Sequence, residues 1–364
     1  MFAPPERSPK RRRRAAQRGM SIIEIMVGMV VALLVGVAAT GGAAMFTASQ
    51  RQGIGTGGAQ LNAGSALAAI RDDAAAAGLG FFGDSRFLCT RMNLGVAAVA
   101  VLDGVVFTPV SITAEAAGDR LDVISSTQVA AGTNVLLNAP TTGDTADLRS
   151  FLPVAVGQAV LLAPDTPGTP CLVRTVTANT ASTVDTPQTL TFANTSAGTH
   201  NQAAFTTIPT FPDKGRITLL GELRWSRYRL EGTDLRYERP LGGALAGGAP
   251  VVLARNVIAF RVEYGTAAAG TAALANWDSA ASAGAWATLT PALLPRVRAL
   301  RIGMVARSAQ PEKRNAAGNC EATTTLPQLF GANVTPDVTD WQCYRYRSVI
   351  SVVPLRNLVM GMTP

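Results

Sequence analysis

The sequence predicts an α+β chain in which one long N-terminal membrane-spanning α-helix leads into a large β-rich globular head. Three observations carry this. Ile25–Phe46 is an apolar run without a charged residue. At 1.5 Å per helical residue it spans roughly 33 Å, enough for a bilayer core of about 30 Å. Residues 60–77 then turn amphipathic, with Leu61, Ala63, Leu67, Ile70, Ala74 and Ala77 recurring near the helical period. From Arg120 onward, short apolar stretches alternate with Gly, Pro, Thr and Asn, as strands joined by turns do.

A basic cluster stands ahead of the apolar run: Arg7, Lys10, Arg11, Arg12, Arg13, Arg14 and Arg18 against the single Glu6. Most of the formal charge of +8 on these 364 residues therefore lies within residues 1–19. Basic residues beside a membrane segment stay cytoplasmic, so everything after Phe46 is expected on the far side. That placement makes the cluster a topology signal and argues against a nucleic-acid arm or a nuclear signal. Glu24 lies inside the start of the apolar segment, where a carboxylate is costly in lipid and needs a partner. A secretory signal would have a shorter apolar core followed by a small-residue cleavage site. Here the cleavable glycine, Gly19, precedes the apolar run; the plain alternative is an uncleaved anchor.

The order of basic leader, Gly19, Met20 and Glu24 resembles the class III signal of type IV prepilins and pseudopilins. The resemblance implies a leader peptide of residues 1–19, cut by a prepilin peptidase between Gly19 and Met20. It implies N-methylation of Met20 and a role for Glu24, the fifth residue of the processed chain, in assembly. Met20 departs from the pattern, since phenylalanine is commoner there. The fold implied is pilin-like: an N-terminal helix over 20–78, with a transmembrane half at 21–46 and an amphipathic half at 60–77, then a β-rich periplasmic or extracellular head over 79–364.

The middle of that helix is weakened by Gly41, Gly42, Gly53, Gly55, Gly57 and Gly58. It reads either as a break with a linker or, on the resemblance, as one long helix with a soft, partly unwound middle. The helix is expected to stop near Gly78 and Gly80. Ile70-Arg71-Asp72-Asp73, then Ala77-Gly78-Leu79-Gly80-Phe81-Phe82-Gly83, resembles the end of the long helix in the PilW family of minor pilins. Cys89 comes later than that family's pattern has it.

Strands are expected at Leu121–Ser125, Ala159–Leu162, Leu172–Thr177, Thr189–Phe192 and Ile217–Leu220. The clearest signal is a hairpin, Leu223–Leu230 and Leu235–Arg239 around Glu231-Gly232-Thr233-Asp234. Alternation marks Ile258–Tyr264, and Val297–Val305 and Tyr344–Val353 complete the set. Residues 131–150 and 265–287 read as long loops. The hairpin, Leu253-Ala254-Arg255-Asn256, and Tyr344-Arg345-Tyr346-Arg347 with Leu355-Arg356-Asn357 together resemble the PilW C-terminal region. Residues 98–210 match nothing recognisable.

Cys89, Cys171, Cys320 and Cys343 all follow the membrane segment, on the side expected to be oxidising, and their even number favours two disulfides. Three connectivities are open. The local pair Cys320–Cys343 is favoured because it closes a polar, strand-poor loop, which leaves Cys89 with Cys171. None is at metal-ligand spacing, so no metal and no cofactor are expected. The single histidine, His200, sits in a polar stretch without the pattern of a catalytic triad, and the glycine-rich pieces lack a phosphate-loop lysine. The chain therefore reads as no enzyme. Arg224, Arg227, Arg229, Arg236 and Arg239 interleave with Trp225, Tyr228 and Tyr237. That composition suits nucleic acid or glycan, but arginines paired with Glu222, Glu231 and Glu238 form a solvated strand face more often.

The resemblance implies a minor pilin that helps prime type IV pilus assembly and is incorporated at or near the fibre tip. Its partners would be the prepilin peptidase, other minor pilins, the major pilin, the inner-membrane assembly platform and the membrane itself. It would be single-pass in the inner membrane, leader cytoplasmic and head periplasmic, before entering the extracellular fibre. The alternatives are a J-type minor pseudopilin of type II secretion, or a tip adhesin or DNA-binding pilin.

Overall fold

The computed structural model describes residues 21–81, 89–240 and 250–361, apart from positions 129, 143, 167, 182, 184, 185, 282 and 283. The leader, with Gly19 and Met20, lies outside the described residues, as does the Phe82-Gly83 end of the helix-stop motif. The chain divides into two units, residues 1–54 and 55–364. Helix α1 (Ile22–Ala75) begins in the first and ends in the second. No break and no unwound stretch interrupts it: each glycine costs a helix about 1 kcal/mol, and the alanines and long apolar residues between them favour it.

In the second unit the strands follow as β1 (Arg91–Val96), β2 (Val99–Val106), β3 (Val110–Ala114), β4 (Asp119–Ser126), β5 (Asn134–Leu136), β6 (Thr145–Leu148) and β7 (Ala159–Ala163). Next come β8 (Cys171–Thr175), β9 (Ala178–Thr180), β10 (Gln188–Thr191), β11 (Arg216–Gly221), β12 (Leu223–Glu231), β13 (Asp234–Glu238) and β14 (Val251–Ala254). The last are β15 (Val257–Ala267), β16 (Leu274–Ser279), β17 (Val297–Arg307), the short pair β18 (Gln328–Leu329) and β19 (Ala332–Asn333), β20 (Tyr346–Pro354) and a terminal helix α2 (Arg356–Gly361). Two stretches expected as loops contain strands: β5 and β6 fall within 131–150, and the end of β15 with β16 falls within 265–287. β1, β2 and β3 were not expected at all.

Two cores result. The first is built on the C-terminal part of α1. Ala59, Ala63, Ala66, Leu67, Ile70 and Ala74 are buried there with the inward residues of two sheets. One sheet runs β14-β13-β12-β4-β3 and contributes Val110, Ile112, Leu121, Val123, Tyr228, Leu230 and Leu235. The other runs β16-β15-β17-β20 and contributes Phe260, Val262, Tyr264, Leu300, Ile302, Met304 and Val353. Leu61, expected on the buried face, is instead 76% exposed. At a helical 100° per residue it lies beyond the Ala63–Ile70–Ala74 stripe. The helix ends at Ala75, close to where the sequence predicts, and the turn after it passes through Gly78 and Gly80, whose positive φ angles of 75° and 88° suit a residue without Cβ.

The second core surrounds a six-stranded sheet, β2-β1-β8-β7-β11-β5. Its central strands are buried on both faces, which is why Ala159–Ala163 reads as a continuous apolar run rather than an alternating one. Val160, Leu162, Leu172 and Ile217 face Phe192, Phe205 and Phe211, under the small sheet β6-β10-β9. Leu161, Val173 and Leu220, with Met92 of the same sheet, cluster with Phe81, Phe107 and Trp225. Residues 127–222 leave and re-enter at one point. Ser126 of β4 is paired with Leu223 of β12, and the Thr127 amide donates to the Glu222 carbonyl at 3.0 Å.

Candidate functional site

The residues the sequence singles out fall into three places: the start of α1, the cysteines and the arginine-rich hairpin. At the start of α1 the Ser21 carbonyl accepts the Ile25 amide at 3.2 Å, so Ser21 is the residue before the first turn. The Ser21 amide donates to Glu24 Oε2 at 3.0 Å. Ser21-Ile22-Ile23-Glu24 is thus the acidic half of a capping box, which satisfies one amide that a helix start leaves without a partner. The S-x-x-E spacing was visible in the sequence and supplies a second use for Glu24 beyond a charge held in lipid.

The helix beyond it, Ile22–Ala43, has a mean hydropathy of 2.6 and none of it is buried in the protein. Its side chains are apolar on every face, the pattern of a segment whose solvent is lipid. The hydroxyls along it are satisfied internally. Thr40 Oγ1 donates to the Gly36 carbonyl at 2.9 Å, and Thr47 Oγ1 to the Ala43 carbonyl at 2.9 Å.

The structure joins Cys89 to Cys171, with Cα atoms 5.3 Å apart, and Cys320 to Cys343, with Cα atoms 4.7 Å apart. The first link ties the entry of β1 to β8, its parallel neighbour. The second closes the loop that carries β18 and β19 over the outer face of β17.

The hairpin arginines are largely spoken for. Arg227 Nε donates to Asp122 at 2.7 Å, and the same carboxylate accepts the Trp225 indole N–H at 2.8 Å. Arg229 Nε donates to Glu238 at 2.6 Å, and Arg236 pairs with Glu231 at 3.2 Å. Of the expected acidic partners Glu231 and Glu238 serve. Glu222 lies outside the hairpin pairs, and Asp122 and Asp73 take its place. On the inner side Tyr228 donates to Asp73 of α1 at 2.5 Å, and Arg224 reaches Asp73 at 3.4 Å. Burial, then the neighbouring Asp73 charge, push the Tyr228 phenol well above its ordinary value, so it stays a donor. Burial works to raise Tyr237 as well, but hydrogen bonds with Ser226, Arg239 and Arg224 outweigh it and hold that phenol below its ordinary value. This face is a neutralised ladder that fastens α1 to its sheet, rather than an open cationic surface.

His200, in its polar stretch, is buried. Its Nδ1 lies 2.6 Å from the Gly95 carbonyl, and its amide donates to Thr175 Oγ1 at 3.1 Å. Burial pulls its pKa below the ordinary value, against the hydrogen bond to Gly95. The contacts are those of a histidine that pins a loop to β1 and β8. Among the described residues no group of three or more His, Cys, Asp or Glu side chains is placed to hold a metal.

Residues 234–357 match the family model of type IV pilus-assembly protein W, PilW. The matched stretch runs from β13 to α2. It takes in the second strand of the hairpin, Leu253–Asn256 and the closing Tyr344–Asn357, and it leaves the N-terminal helix outside. No curated protein matches significantly. Among solved structures, the chain is similar to a type IV-like pilin, TTHA1219 from Thermus thermophilus, with 11% identity and a TM-score of 0.31 over 80% of this chain and 94% of that one.

Proposed function

We propose that this chain is a minor pilin of a type IV pilus, a structural and non-catalytic subunit. In this reading a prepilin peptidase removes residues 1–19, Met20 becomes the methylated N-terminus, and the apolar helix holds the subunit in the inner membrane with its head in the periplasm. The helix then moves into a growing fibre beside other minor pilins and the major pilin, where the subunit helps prime assembly and stays at or near the tip. The observation that carries the reading is the PilW match. It covers the whole sheet β16-β15-β17-β20 and two strands, β13 and β14, of the other sheet around the C-terminal part of α1, in a chain whose basic N-terminal stretch is followed by an apolar helix with Glu24 at its start.

Size supports a scarce, terminal position. A compact head of nearly 300 residues is some 50 Å across, whereas packed helices approach to about 8–10 Å. Heads of this width crowd a shaft and fit at an end. Mass spectrometry of sheared fibres tests these points together. The expected result is an N-terminal peptide that starts at a methylated Met20, at a small fraction of the main subunit's abundance. An intact leader overturns the processing step, and abundance equal to the main subunit overturns the tip position. Glu24→Gln keeps a carbonyl oxygen for the Ser21 amide but no charge, while Glu24→Val keeps neither. Exclusion of both from fibres is expected if Glu24 meets a neighbouring Met20 amine. Normal incorporation of Glu24→Gln assigns the residue to capping alone.

A further inference from the structure

Strand β20 closes the sheet β16-β15-β17-β20, and its second edge is open. Among the described residues it pairs only with β17. The ladder fixes which groups face outward. The Ser308 amide donates to the Arg345 carbonyl at 2.8 Å, and the Leu355 amide to the Arg298 carbonyl at 2.9 Å. Both bonds continue the register that sets Ala299 against Pro354 and Arg307 against Tyr346. In an antiparallel pair hydrogen-bonded rungs alternate with open ones. The odd-numbered residues of β20 therefore bond to β17, while Tyr346, Ser348, Ile350 and Val352 direct their N–H and C=O groups away from it.

The same stretch is apolar where it is open. Ile350 and Val352 are each 52% exposed, on the outer face of the sheet. On neighbouring β17 that face is covered. Phe330 lies over Gly303, where a Cβ would meet its ring at 2.8 Å, and Arg301 stands between Phe330 and Trp277 with Glu263 as its ion-pair partner. The cover reaches the start of β20, where Tyr346 packs beside Leu329 and Ser348 Oγ donates to the Gln328 carbonyl at 2.6 Å, and it leaves Ile350 and Val352 bare. A nine-residue edge strand with exposed β-branched side chains is the kind that soluble proteins keep short, charged or covered. Here Pro354, with no N–H, blunts one end alone.

Charge selects the occupant. From Trp341 to Pro364 the chain carries Arg345, Arg347 and Arg356 and no Asp or Glu. Arg345 is held by Glu312, while Arg347 and Arg356 are exposed. We infer that the open edge of β20 is a docking site for an extended segment of another polypeptide, which adds as a further strand, lays apolar side chains beside Ile350 and Val352, and sets carboxylates opposite Arg347 and Arg356. Backbone bonds supply the affinity of such strand addition, and side-chain pairs its selectivity. A second copy of this chain is a poor occupant, because its own β20 brings arginines and no acid.

The test uses the full chain in detergent micelles and two synthetic peptides in which valine alternates with threonine, one ended by glutamates and the other by lysines. Amide hydrogen exchange at Ile350 and Val352 is the readout. The glutamate peptide is expected to slow exchange there, and the lysine peptide to bind roughly three- to tenfold more weakly, as a cross-strand pair turns from opposite to like charge. Arg347→Glu should reverse that preference. Ile350→Pro removes one outward N–H and should abolish protection while the amides of β15 and β17 exchange as before. Equal protection by both peptides, or none by either, overturns the inference. Protection without peptide that grows with protein concentration also overturns it, since the occupant is then a second copy.

Discussion

The two cores of the second unit are held in different ways. Around α1 the work is done by apolar faces. A helix stripe of Ala63, Leu67, Ile70 and Ala74 meets long strands such as β15 and β17, and the ladders satisfy most of the backbone, with Asp119 and Tyr264 accepting the Val262 and Ile112 amides. Around the six-stranded sheet the strands are short and the connections long, so much backbone runs through the interior outside any ladder. Side chains serve it instead. Asn201 accepts the Thr175 amide at 2.9 Å and donates to the carbonyls of Thr175 and Ala193, at 2.8 and 3.1 Å. Gln188 accepts the Leu152 amide at 2.7 Å and donates back to the Leu152 carbonyl at 3.0 Å. Asn93 donates to Thr207 at 2.8 Å and accepts the Gly104 amide at 2.7 Å. Buried backbone must be paired somewhere. Where strand content falls, the pairing passes to Asn, Gln and His.

That contrast can be broken by experiment. The largest effect is expected from Ile70→Ala, which empties a fully buried site between α1 and two sheets and should cost about 2–5 kcal/mol in denaturant unfolding of the full chain in detergent. A cost under about 1 kcal/mol would show that the helix stripe does not hold the first core. Asn201→Ala comes next, at about 1–3 kcal/mol, because it leaves buried groups of Thr175 and Ala193 without partners. Asn201→Leu, which restores volume but no hydrogen bond, should recover little of this; full recovery would mean that packing, not polar stapling, holds the second core.

The smallest effect is on pH dependence. His200 is the only histidine, and burial holds its folded pKa below the ordinary value near 6.5. Below 6.5 the unfolded chain takes a proton that the folded chain refuses. Stability is therefore full above that pH and declines as pH falls toward the depressed folded value, by at most about 1.4 kcal/mol per unit. Unfolding midpoints between pH 7 and 5 should show this slope in the wild type and a flatter profile in His200→Gln. Equal slopes would remove His200 from the account.

The sequence was legible where pattern and length coincided. The alternation at Ile258–Tyr264, the Gly232 hairpin and the stops at Gly78 and Gly80 all stand in the structure. Strands β5 and β6 escaped notice because three or four residues are too short to show a period. Leu61 misled because it is apolar and close in sequence to the stripe, although two residues before Ala63 is the far side of a helix. The burial of His200 had no signal in the sequence, because its neighbours are polar and form its buried network. The capping box at Ser21–Glu24 was legible and went unread, since the apolar run drew the reading toward lipid. The polar staples had no local signature at all, because most of their partners lie tens of residues away.

The join between β4 and β12 has a consequence for local opening. Residues 127–222 depart after Ser126 and return at Leu223, on the same rung of one ladder. The excursion is closed at its base, so opening of the second core need not part β4 from β12. The polar staples can loosen while the ladders of the first core stay paired.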